Sequence, residues 1–162
     1  SVRSRLISEE DMVKQASEFA GTVPVRHLLP YWKTSNRYLF SGGSVNMRDA
    51  AVYAKEENWS KAVELWKQTY ETKKGKQKMY AAYNTALGYE MQDSIDTALE
   101  WALKAQTLAR EKSKTDKKET GEIHDGTISY YIFISMYVDE LEKRKEGMAR
   151  LNMQMNRFDD DF

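Results

Sequence analysis

Histidine is the side chain best suited to proton transfer and metal binding near neutral pH. This sequence has two, His27 and His124. They are far apart, and neither has a second histidine one helical turn away, so neither reads as a metal ligand or a catalytic base. The absence of cysteine excludes a thiolate nucleophile, a Cys-based metal site and a disulfide scaffold. No Gly-x-Ser-x-Gly run marks an activated serine. "SGGS" (41–44) could hold an anion on its amides at a helix start. It lacks the Lys-Ser/Thr of a P-loop and the Rossmann spacing, and reads as a linker plus a helix cap. The aspartates at 159–161 lack calcium-loop spacing and read as a solvated tail. "NWS" (58–60) matches a glycosylation acceptor formally, in what reads as a turn between helices. The expectation is a non-enzymatic chain with no cofactor and no metal.

Two further groups of residues carry chemistry. Trp59, Trp66 and Trp101 are spaced as packing residues, with a ligand-stacking platform as the alternative; Trp32 stands apart from them. The lysines at 67, 73, 74, 76 and 78, and those at 112, 114, 117 and 118, form local basic clusters at or near helix ends. They read as a solvated rim, with contact to an acidic partner or an anionic surface as the alternative. The chain of 162 residues balances 25 basic against 25 acidic side chains. That removes the basic excess of a nucleic-acid binder. No apolar run approaches the length of a membrane span.

The elements that must position these residues are mostly helical. The two prolines, Pro24 and Pro30, both precede Tyr31, so nothing beyond it bars helix on that ground. Ser8 followed by Glu9, Glu10 and Asp11 starts a helix, with Met12, Ala16, Phe19 and Ala20 as its stripe and Gly21 as its stop. "TVPVRHLLPYW" (22–32) reads as irregular or one short helical turn, its apolar residues covering one end of the core. "RYLF" (37–40) reads as a short extended piece. Helices are expected over 47–57, 61–73, 77–91 and 95–112, with Ser44 or Asn46, Ser60 and Ser94 as caps. "EKSKTDKKETGE" (111–122) reads as an exposed loop or a helix extension. The stretch from Thr127 to Met155 opens with β-branched and aromatic residues that would suit a strand. Its helical spacing at Ile128, Tyr131, Ile132, Ser135, Met136 and Asp139, without a turn signal, predicts helix instead. "RFDDDF" (157–162) reads as frayed.

The middle of the chain repeats. "MRDAAVYAKEENWSKAVELWKQ" (47–68) aligns with "YNTALGYEMQDSIDTALEWALK" (83–104) at the spacing of Ala62 and Ala98, 36 residues. Tyr53 and Tyr89 precede those alanines by nine, Trp59 and Ile95 by three, and Leu65 and Trp101 follow by three. This resembles the tetratricopeptide repeat (TPR), a helical hairpin with a period of about 34 residues. Ala50, Ala86, Ala62 and Ala98 match its small crossing residues. The chain departs from the pattern in lacking the closing proline, in Asp49 and Thr85 at large-residue positions, and in Ala102 where the first unit has Trp66. A third unit within 122–155 lacks the turn signature and resembles a capping helix. The order "LLPYW…RYLF…MRDAA…NWSKAVELW…AAYNTALGYE…TALEWALKA" also resembles the C-terminal, TPR-containing half of an uncharacterised lipoprotein family of Bacteroides-type bacteria.

The expected fold is all-α: antiparallel hairpins stacked as a short solenoid in one domain. Residues 1–43 form an N-terminal helix and irregular segment, 44–112 two hairpins, and 113–162 a charged loop and capping helix. The TPR resemblance implies a concave face lined by Met47, Ala51, Lys55, Tyr80, Tyr83, Asn84, Leu87 and Met91. Asn84 matches a position where some family members hold a peptide backbone or terminal carboxylate. Met47 and Ala51 stand where the basic clamp residues would be, so a carboxylate clamp is not expected. The implied groove suits an amphipathic helix or an extended peptide, or is filled by the chain's own N- or C-terminal helix. The expected function is a protein–protein interaction module of a larger envelope protein, with a protein or peptide partner and no nucleic acid. The alternative is an assembly module that packs on a preceding domain or on itself. The lipoprotein resemblance implies a lipid anchor upstream of Ser1 and a periplasmic or outer-membrane-tethered location, against a cytoplasmic alternative.

Overall fold

The computed structural model describes residues 19–28, 32–120 and 125–160. Strands β1 (Phe19–Leu28) and β2 (Trp32–Phe40) pair antiparallel, with Leu28 opposite Trp32 and Phe19 opposite Phe40. Five helices follow among the described residues: α1 (Val45–Lys55), α2 (Trp59–Thr72), α3 (Lys76–Met91), α4 (Ile95–Thr120) and α5 (Asp125–Asp160). The protein is therefore mostly helical, with one two-stranded ribbon.

The ribbon corrects the reading of the first 43 residues. Phe19 and Ala20, expected to end a helix, start β1, and "TVPVRHL" continues the strand. The rest of the expected helix, 9–18, lies outside the described residues. Val25 and His27 are buried while Pro24 and Arg26 are exposed, which is the period of two of a strand with one covered face. Pro24 lies opposite Asn36. A two-stranded ribbon has only edge strands, so the N–H that proline lacks need not be missed. "RYLF" is extended as expected, within a strand that starts at Trp32.

The helices fall where their signals put them, with two adjustments. Ser44 caps α1, its hydroxyl accepting from the Met47 amide at 3.4 Å. Asn58, not Ser60, caps α2, its side chain accepting from the Lys61 amide at 3.3 Å. The charged stretch after Glu111 takes the helix-extension form, and α4 runs on to Thr120. Its side chains are good helix formers, with Lys114 and Glu111 3.5 Å apart one turn away. Residues 157–160, expected to fray, continue α5.

The internal repeat is visible in hydrogen bonds. Asn58 N–H donates to Tyr53 O at 2.8 Å, and Ser94 N–H to Tyr89 O at 2.9 Å. Glu57 N–H donates to Ala54 O at 3.0 Å, and Asp93 N–H to Glu90 O at 3.0 Å. Both turns use a left-handed residue, Glu57 and Asp93, each with φ 60°. Each helix packs on the next in sequence. Ala50, Ala62, Ala86 and Ala98 are fully buried. Gly88 marks a close approach of α2 and α3: a Cβ there would overlap Val63 Cγ2. Trp59 and Trp66 are core, whereas Trp101 is half-buried; the Trp32 side chain lies outside the described residues.

A left-handed conformation costs an L-residue roughly 1–2 kcal/mol that glycine escapes, partly offset by glycine's freedom when unfolded. Glu57 makes no side-chain ion pair among the described residues. Glu57→Gly is therefore expected to stabilise the fold by about 0.5–1 kcal/mol, read as a higher urea midpoint at unchanged slope.

Candidate functional site: the helix face beneath strand β2

Helical spacing puts Tyr80, Tyr83, Asn84 and Leu87 on one side of α3, beside Met47 and Ala51 of α1. All six are buried, Met91 is half-buried and Lys55 is exposed at the margin. The face is not open. The end of β2 lies on it, with the Phe40 ring stacked on Tyr80 at 4.1 Å between centroids and edge-on to Tyr83 at 5.2 Å. Asn84 holds the Phe40 main chain at both ends: Nδ2 donates to the carbonyl at 2.6 Å, and Oδ1 accepts from the amide at 3.1 Å. Tyr83 Oη donates to Tyr38 O at 2.8 Å. The expected groove for a partner is thus occupied, and by a strand of the same chain rather than by an end helix. Gln77 in the first turn of α3 latches the linker, accepting from Ser44 N–H at 3.3 Å. Gly43, at φ 111°, leaves room for it: a Cβ would overlap the Gln77 side chain.

One helical turn on, α3 presents a buried carboxylate. Glu90 accepts from Arg37 of β2 through Nε at 3.0 Å and Nη2 at 3.2 Å. It also accepts from Arg144 Nη1 at 2.7 Å and Tyr137 Oη at 2.9 Å, both on α5. Burial pushes the Glu90 carboxyl up, but the hydrogen bonds and charge of Arg37 and then Arg144 outweigh it and hold it below 4.5. Burial and the Glu90 charge raise Tyr137 well above the ordinary phenol range, so it stays a donor. For Arg37, burial acts downward, and the Glu90 bonds and charge reverse it. Asp93, at 3.7 Å from Arg144 Nη2, balances the second guanidinium from the surface.

His27 sits against this cluster, buried, its Nδ1 without a hydrogen-bond partner among the described residues. Burial first, then the charges of Arg144 and Arg37, hold its imidazole below 6.5, against the smaller opposing pulls of the Val25 backbone and Glu90. A cleft of about 420 Å³ opens between β2 and α5, lined by Asn36, Arg37, Tyr38, Met136, Tyr137 and Glu140 among others. Arg37 and Tyr137 spend polar atoms on Glu90, and Glu140 pairs with Lys143 at 3.6 Å. This arrangement anchors β2 to α3 and α5.

Arg37, Glu90, Tyr137 and Arg144 were not among the residues singled out from the sequence. The available signal was an acid inside the apolar run "ALGYEM", where a charge needs a buried partner. His27 is buried.

Removing the Glu90 charge strands two guanidiniums in the interior. Glu90→Gln is expected to destabilise the fold by about 3–5 kcal/mol, measured by urea unfolding. The folded state favours neutral His27, while the unfolded chain takes up the proton from about pH 6.5. Stability is thus fully present above that value and falls as the pH drops towards the folded-state value; Glu90 adds a loss below 4.5. His27→Gln is expected to flatten the fall of the urea midpoint that begins below about pH 6.5 and to leave the Glu90 loss below 4.5.

No helix among the described residues is long and apolar enough to cross a membrane. No curated protein and no solved structure matches the chain. Residues 1–40 match a family described as Domain of unknown function (DUF8603). Residues 48–143, more than half of the chain, match the family described as Domain of unknown function (DUF6340). The interval between the two matches holds the "SGGS" linker and the start of α1, so the Asn84–Phe40 bonds join the two matched regions. The helical part, and with it this chain, belongs to the DUF6340 family.

Proposed function

We propose that this chain is a non-enzymatic, TPR-like protein-contact module whose groove is used internally, to hold the β-ribbon that precedes it. The observation that carries this is the bonding of Asn84 to both the amide and the carbonyl of Phe40. A carboxamide that pairs with an extended main chain is a peptide-holding device, and here the peptide is β2. Two turns of the same hydrogen-bonded form and four buried alanines at matched positions support reading the helices as stacked hairpins. The module couples the two matched regions into one body, and contacts with other proteins then use its outer surfaces. The same proposal puts this activity in the cell envelope, a reading that draws its support from the resemblance to envelope lipoproteins of Bacteroides-type bacteria.

Asn84→Ala tests the coupling. It removes the two side-chain bonds to the buried Phe40 amide and carbonyl, at a cost of about 1–3 kcal/mol. The expected result is amide hydrogen exchange in β2 faster by roughly tenfold to a hundredfold, with protection of α2 and α4 unchanged. Unchanged protection in β2 would sink the reading.

A further inference from the structure

The remaining chemistry lies on α2, α3 and α4. Tyr70 and Trp101 meet edge-to-face there, their centroids 5.0 Å apart, both half-buried. Three lysines converge on them. Lys104 Nζ stands 4.1 Å from the Trp101 centroid and 5.9 Å from Tyr70. Lys78 Nζ stands 4.5 Å from Tyr70, and Lys67 Nζ 5.7 Å from Trp101 and 4.9 Å from Tyr89. Among the described residues none of the three forms an ion pair, although Glu64, Glu71 and Glu100 share their helices. A chain with as many acids as bases has every means to neutralise a lysine cluster, yet this one is left positive. The rings fix the ammonium groups by cation–π attraction, so little side-chain freedom is left to lose when a carboxylate arrives.

We propose that Lys67, Lys78 and Lys104, held over Tyr70, Tyr89 and Trp101, form a docking surface for an acidic peptide segment of a partner protein. The surface deepens the protein-contact reading and rests on it. Charge complementarity selects the occupant. The cluster contains no arginine fork for bidentate phosphate contact, and its ring faces are covered by ammonium groups rather than open to stacked bases. Half-buried, covered rings also offer no apolar wedge for a bilayer.

The test uses the full chain and a fluorescein-labelled peptide of alternating Glu and Ser, read by anisotropy at low ionic strength. The peptide is expected to bind, and to bind more weakly as salt rises. The triple variant Lys67→Gln, Lys78→Gln, Lys104→Gln is expected to weaken binding by about tenfold or more. Substituting Lys112, Lys114 and Lys117 by Gln should leave it unchanged. Circular dichroism checks the fold. If the triple variant does not fold, Lys104→Gln alone, at an exposed position, should weaken binding several-fold. Failure of the acidic peptide to bind, equal binding of a Gln–Ser peptide, or undiminished binding by the variants would overturn the proposal. So would tighter binding of duplex DNA or of phosphatidylserine vesicles that the triple variant loses. The Asn84 experiment reads β2 alone, so the two readings fail separately.

Discussion

The Glu90 carboxylate is the point on which the arrangement of the chain turns. It lies on α3 and takes hydrogen bonds from β2 and from α5, segments more than 45 residues away on either side. An unpaired buried charge is too costly to persist, so β2 and α5 must both be in place for α3 to be tolerated as it stands. A hydrophobic trio of similar volume could be equally stable, since desolvating three charges offsets much of their attraction. What the ion cluster adds is specificity. Arg37 and Leu39 face inward on β2 while Asn36 faces solvent. A slip of one residue would turn Arg37 outward and leave Glu90 unmatched.

The same physics explains why the α1–α3 face is full. An asparagine that bonds to main-chain amide and carbonyl is indifferent to the side chain of its guest. Sequence does not select β2 for this place; connectivity does. A short linker, 41–44, joins β2 to α1 and is itself tied to Gln77. A tethered guest acts at an effective concentration in the millimolar range, which a free peptide must exceed. The aromatic stack of Phe40 on Tyr80 and Tyr83 adds contact area that a guest without an aromatic side chain would forgo.

What the sequence disclosed follows from the range of the interactions involved. The helices and their turns were legible because their determinants are local: buried alanines, a tyrosine and a three-residue turn, all within a few helical turns. The side of α3 that carries Tyr80, Tyr83, Asn84 and Leu87 follows from helical spacing, whereas its grouping with α1 rested on the TPR resemblance. The ribbon was not. The spacing of Phe19 and Ala20 fits a helical stripe, Pro24 argues against a strand, and a lone two-stranded ribbon is stable only when docked. The occupant of the face was hidden too, because Asn84 bonds to backbone atoms of Phe40 that leave no mark on the sequence. Nor could the partners of Glu90 be picked from 25 basic residues without knowing that β2 crosses α3.

The two repeat units show how small a change moves a residue between roles. Trp66 and Ala102 occupy matched positions, 36 residues apart, and both are fully buried. The second unit carries its tryptophan one position earlier, at 101, matched to Leu65. One residue along a helix is a rotation of about 100°, enough to carry the ring from between the helices to their margin. There Trp101 is half-buried, meets Tyr70 edge-on and lies under Lys67 and Lys104. Alanine at 102 then lets the helices close over the vacated position. An aromatic side chain that fills the core of the first unit thus becomes, in the second, a surface that orders positive charge. The α1–α3 face is taken by β2, and the rings that carry the lysines are other residues of α2, α3 and α4.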